Sequence, residues 1–307
     1  MSRMLRYQPD EWSTHFVTVR CMQSRYLLRP DDTVNALVVG VLERAAERTG
    51  CRLHGVVVLA NHAHLLVSSR AASDLSDYME YFAGNVAREI GKHHRWREKF
   101  WGRRYASGLC LDDEAQVDRL AYLLVNSVKE RLVSHSRYWP GVHCYTALCE
   151  GKTLRGKWVD RTGLYEARRK HRDGERQPSE RDHSTNCTLT LHKLPCWEHL
   201  ADATYAARVR ELYDETVRRV RPDSDSPALG VKAVMRVCPH DSPARSDHSP
   251  APRCHTTDRA LYRVFMDAYR EFASAYRTAL AELRGGLGEG DFPDGAVLPG
   301  GLRAAPT

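Results

Sequence analysis

The chain has 307 residues, 42% of them hydrophobic, with a formal net charge of +7 at pH 7 and a pI of about 8.9. That apolar content excludes wholesale disorder, and the length accommodates one large domain or two ordinary ones. The basic excess suits a polyanionic partner without requiring one. Nine cysteines, scattered without a C-x-x-C pair, point to a reducing compartment rather than a disulfide framework. The opening MSRMLRYQPDEW lacks the apolar run of a signal peptide, and the most apolar window, 34–42, is too short to span a bilayer. The expectation is a cytoplasmic protein with no membrane partner.

The first half alternates elements. Residues 14–21 (THFVTVRC) are rich in β-branched side chains and read as a strand. A helix is predicted over 32–49, with Val34, Leu37, Val38, Val41 and Leu42 at helical spacing and Gly50 closing it. Strands follow at 53–59 and 62–69, then a helix over 73–93 and a strand at 105–111. This βαββαβ order predicts an α+β, ferredoxin-like domain. A further helix starts near Asp113, where Asp113 and Gln116 match a capping box, and ends around Val133. The catalytic-size domain is thus expected over 1–150.

The second half carries weaker patterns. Residues 151–198 are dense in Arg and Lys and read as a basic linker or arm. A mainly helical and irregular C-terminal region is expected over 199–285, with helices at 199–220 and 258–283 around a Pro/Ser/Asp-rich loop at 221–257. Residues 286–307 read as a flexible tail.

Two patterns carry chemistry. His62 and His64 are two apart on a predicted strand, so both imidazoles point the same way and can converge on one ion. In the helix after the fourth strand, Tyr122 and Asn126 are four apart and share the polar side with Arg119 and Lys129. The bland alternatives are structural histidines and a surface tyrosine on a solvated face. Together, two imidazoles and an amide oxygen leave a metal open positions for phosphate oxygens. A tyrosine hydroxyl, weak as a nucleophile at neutral pH, needs such neighbours to attack a phosphodiester.

Three blocks extend this reading to a known family. LANHAHLLV resembles the MPNHVHLL region of REP-associated tyrosine transposases, single-tyrosine members of the HUH endonucleases. FWGRRYAS resembles their W-x-x-R-F/Y-x-S segment, and AYLLVNSVKERLV their tyrosine-bearing helix. The resemblance covers about residues 10–150. It implies His62, His64 and Asn126 as ligands of Mg²⁺ or Mn²⁺ and Tyr122 as nucleophile. The implied partner is single-stranded DNA with a REP-like hairpin, cut through a 5′-phosphotyrosine and rejoined by a nucleoid-associated protein. Ala60, Ser127 and Lys129–Arg131 depart from the family pattern without removing a catalytic group. Relatives include monomers and dimers, so a homodimer is one expectation and a monomer the other.

The stretch KHHRWREKFWGRR interleaves cations with aromatics, as single-strand binders do. Arg95, Arg97, Lys99, Arg103 and Arg104 are therefore DNA-binding candidates with Arg119 and Lys129, while Trp96, Phe100 and Trp101 are expected mostly to pack. Tyr78, Tyr81 and Tyr105 read as structural. Cys238, His240, Cys254 and His255 fit no common zinc spacing. Two rival readings keep the fold: a hairpin-binding protein that does not cut, and a metal-dependent nuclease using water.

Overall fold

The computed structural model describes residues 5–172, 175–220, 227–244, 251–286 and 290–299. Parts of the predicted 221–257 loop (221–226 and 245–250) and of the tail (287–289 and 300–307) lie outside the described residues.

The first half forms β1 (Ser13–Arg20), α1 (Asp32–Thr49), β2 (Arg52–Val58), β3 (His62–Ser69), α2 (Ala72–His93), β4 (Ala106–Cys110) and α3 (Asp113–Lys129). Local chemistry sets these boundaries. Asp31 caps α1 by accepting from the Val34 N–H at 2.8 Å, and Gly50 ends it in the left-handed conformation at φ 69°. Asp112 caps α3 by accepting from the Ala115 N–H at 2.7 Å. The cap thus falls one residue before the predicted Asp113, because adjacent aspartates leave the register to the backbone.

The strands run in the order β2-β3-β1-β4, with each neighbouring pair antiparallel, the ferredoxin-like arrangement. Thr18 pairs with His64 and Arg20 with His62. Strand alternation therefore puts Phe16, Thr18, Arg20, His62 and His64 on one face, and Val17 and Val19 on the other. α3 crosses the histidine face: a side chain at Gly55 of β2 would strike Leu120 and Leu123. α2, packed on α1, lies against the valine face, where Val19 and Met79 share a groove wall.

Beyond α3 come α4 (Cys144–Glu150), β5 (Leu154–Val159), α5 (Arg161–Lys170), β6 (Ser184–Leu189), α6 (Asp202–Val220), α7 (Val231–Arg236), β7 (Cys254–His255) and α8 (Arg259–Arg284). The stretch expected as a basic linker or arm holds an antiparallel β5–β6 hairpin seated on α1. The seat requires two glycines: a Cβ at Gly40 would overlap the Lys157 carbonyl, and one at Gly156 the Gly40 nitrogen. The charges that made this stretch look like an arm flank a strand whose Gly156 and Val159 are buried.

Arg161 of α5 holds Glu89 of α2, its Nε donating to Oε1 at 2.8 Å, while Glu89 is only 2% exposed. Arg161→Ala would strand a buried carboxylate beside Arg88 alone. The expected loss is about 3 kcal/mol, read as a fall in the denaturation midpoint. The C-terminal helices pack as well: α6 lies along α3 and α4. β7 extends the sheet parallel to β4, and α8 makes a second small core of Phe265, Tyr269 and Ala273 with Leu109, Cys254, Leu5 and Tyr7. Among the described residues no helix is long and apolar enough to cross a membrane.

Candidate active site

His62 and His64 stand at the middle of the α3-facing sheet surface, their rings 4.8 Å apart and nearly perpendicular. Each Nδ1 is engaged. His62 Nδ1 donates to Asn61 Oδ1 at 2.6 Å, and His64 Nδ1 meets Thr18 Oγ1 at 2.8 Å. The Asn61 oxygen fixes the proton of His62 on Nδ1 and leaves its Nε2 lone pair to bind an ion, and His64 does the same in the tautomer that donates to Thr18. Burial pushes His62 down to about 3, helped by Arg20. Burial also holds His64 well below the imidazole range, with further repulsion from His62, Arg20, Lys129 and Arg119. Both rings are therefore neutral at physiological pH, the form a metal needs.

Phe16 stacks on His64 at 5.3 Å, and Tyr122 stands edge-on to both, 5.3 Å from His64 and 5.6 Å from Phe16. Arg119 lies 5.6 Å and Lys129 4.8 Å from the Tyr122 ring centre. The polar side of α3 is thus turned inward onto the polar patch of the sheet. Asn126, expected on that polar side, is fully buried, because α3 is covered by the sheet on one flank and α6 on the other. Its Oδ1 and Nδ2 both lack a hydrogen-bond partner.

An orphaned buried amide costs about 1–3 kcal/mol. Asn126→Leu is therefore expected to raise the melting temperature of the metal-free protein. A lower melting temperature would show that the amide has a structural partner.

The cleft before Tyr122 has a volume of about 660 Å³. Arg20, Arg103, Arg104 and Arg119 line it with His64, Tyr122 and His255, and among the described residues no carboxylate does. Such a wall attracts an anion and offers no acidic group to repel one. Of the predicted contacts, the structure brings Arg103, Arg104 and Arg119 to this cleft and Lys129 to the tyrosine. Arg95, Arg97 and Lys99 are exposed on the preceding loop and do not line it. Phe100 is buried and Trp101 half-buried, with its Nε1 donating to the Ala83 carbonyl. Tyr78 and Tyr105 are buried, and Tyr81 packs on Trp158.

Sequence reasoning missed three residues here. Arg20 and Thr18 were within reach, since they alternate with Phe16 on β1. His255 was not: it comes from a two-residue strand without periodicity and places its ring 5.6 Å from Phe16. Its neighbours in the weak zinc pattern are apart from it, with Cys254 in the second core and His240 against Trp96. Among the described residues, Asp31, His93 and His94 also bring ligand atoms within 4.8 Å of one another, a group able to hold a metal, on other elements.

Residues 10–122 match the family model described as IS200-like transposases. The match ends at Tyr122, within α3, and is consistent with a transposase-type DNA endonuclease. A REP-associated tyrosine transposase bound to a REP hairpin is similar to it at 20% identity, covering 46% of this chain and 81% of that one, with a TM-score of 0.39. A putative transposase from Deinococcus radiodurans R1 is similar at 18% identity, covering 40% and 95%, with a TM-score of 0.29. No curated protein matches the chain.

Proposed function

We propose that the chain cuts and rejoins single-stranded DNA beside hairpin repeats through a covalent link to Tyr122. One observation carries this reading: the tyrosine stands edge-on to His64, one of a neutral histidine pair, in an arginine-lined cleft with no carboxylate among its described residues. The Tyr122 hydroxyl oxygen would attack a backbone phosphorus while the bond from phosphorus to the 3′ oxygen breaks. The tyrosine gives up its proton and the leaving 3′ oxygen gains one, so a 5′-phosphotyrosine and a free 3′ hydroxyl result. The phosphotyrosine keeps the ester, and attack by another 3′ hydroxyl restores both the DNA and the tyrosine.

His62, His64 and Asn126 would hold Mg²⁺ or Mn²⁺, which supplies Lewis-acid polarisation of the phosphate. The unpartnered Asn126 amide and the imidazoles, each engaged through Nδ1, fit such an ion. Arg119 and Lys129, both beside the Tyr122 ring, would stabilise the phenolate and the charge on the phosphoryl oxygens. Arg20, Arg103 and Arg104 would position the backbone.

The test uses labelled hairpin oligonucleotides from repeats flanking the gene, incubated with the protein and Mn²⁺ and run on denaturing gels. A slow-migrating covalent species is the expected result. Cleavage without an adduct would favour a water-using nuclease, and binding without cleavage a hairpin-binding protein.

A further inference from the structure

A second groove, of about 1080 Å³, opens on the other side of the Trp101–Tyr105 loop from the tyrosine. α2 forms one wall, and the other comes from the C-terminal part of the chain, through Tyr276, Arg277, Leu280 and Arg284 of α8 and residues 297–299. Among the described residues, five arginines line it (Arg6, Arg103, Arg104, Arg277 and Arg284) against a single carboxylate, Glu80. None of the five forms an ion pair with a described residue.

The floor shows the same imbalance at short range. Arg6 lies 3.9 Å over the Tyr105 ring and Arg104 5.6 Å from it, so two guanidinium groups share one aromatic ring. Arg6 is half-buried, its Nε buried without a partner. Burial lowers its pKa, with Arg104 adding repulsion. Cations gathered this way are stabilised by an anion that reaches several of them together.

Arg103 and Arg104 also line the cleft before Tyr122, so the two hollows meet at these residues. They can meet there because β7 pairs with β4 only at Leu109 and Cys110, leaving the Ala106 end of β4 as the sheet edge. A polyanion in the cleft can pass over that edge without leaving arginine contact.

We propose that this groove is a second binding site for single-stranded DNA, in which the strand leaving the tyrosine cleft passes Arg103 and Arg104 and lies between α2 and α8. The inference rests on the cleft being a single-strand site, and it gives the C-terminal region a role in holding substrate. Guanidinium groups would track phosphates, and Tyr276 offers a half-buried ring on which a base can stack.

Binding is measured by fluorescence anisotropy with labelled oligothymidylates of about 6 and about 20 nucleotides over a salt series. Arg277→Ala with Arg284→Ala is expected to weaken the longer probe about tenfold and to flatten its salt slope by about 1.4, the loss of two phosphate contacts. The shorter probe should change less than about twofold, and the Arg277→Lys, Arg284→Lys pair should keep most of the long-probe affinity. Unchanged long-probe binding in an alanine variant with wild-type melting would overturn the proposal.

Should that variant fail to fold, wild-type protein cross-linked to thiothymidine-containing strands decides. Adducts near Tyr276 support the groove, and adducts confined to the cleft refute it. Neither readout needs cleavage. A chain that binds in this way without forming a phosphotyrosine would lose the catalytic reading and keep the groove.

Discussion

Tyr122→Phe is expected to abolish the covalent adduct and to lower strand cleavage by on the order of 10⁴-fold or more, while hairpin affinity stays within about twofold. The size follows from what is removed. The substitution deletes one oxygen and leaves the ring on its edge-to-face contacts with Phe16 and His64, so packing is preserved. The arginines that would hold the backbone are untouched, so the effect should fall on turnover rather than on binding. His64→Ala is the complementary variant. It removes a ring stacked on Phe16 and hydrogen-bonded to Thr18, so it should lose metal affinity and some stability with activity. Gels of both variants beside wild type, with melting curves, separate the two roles. Persistence of cleavage in the phenylalanine variant would transfer the nucleophile's role to water.

The core of this arrangement was legible because β-branched runs, helical stripes and a glycine stop agree with one another along residues 13–129. The α1 range matches the prediction, since Asp31 and Gly50 fix both of its ends chemically. That His62 and His64 share one face was legible through strand alternation, while their reading as a metal pair leaned on the family resemblance. What was hidden has physical causes. Helical periodicity separates a polar side from an apolar one, but it does not say that the polar side will meet a polar sheet. Asn126 was therefore expected on the polar flank and lies fully buried. The β5–β6 hairpin was masked by Lys152, Arg155 and Lys157, whose charges outweighed a short alternation. β7 is too short for any pattern, and with it His255 was lost.

Acid should unfold the metal-free chain well before its carboxylates titrate. Three histidines away from the tyrosine cleft are buried and neutral. His15 lies between Gln8 and Ser107 and is pushed to about 3 by burial, with Arg6 adding repulsion. His54 sits between the Lys193 carbonyl and Ser68 and is lowered to about 4, again chiefly by burial. His143 caps α4, its bare Nδ1 accepting from the Tyr145 N–H at 3.0 Å, and burial holds it at about 3. Unfolded, each would take up a proton as pH falls through about 6.5; folded, none does until about 3–4. The unfolded state therefore binds more protons across that window, and stability present above pH 6.5 drains away below it. One unit below that value each group has cost about 1.4 kcal/mol, so the three together remove about 4 kcal/mol near pH 5.5. That is a large part of the stability of an ordinary domain. Melting temperature should fall steeply between pH 7 and 5, and His54→Gln should flatten the slope by the one proton that His54 contributes. A melting temperature level across that range would mean that these imidazoles gain protons without unfolding the chain, and that their burial is looser than their packing shows.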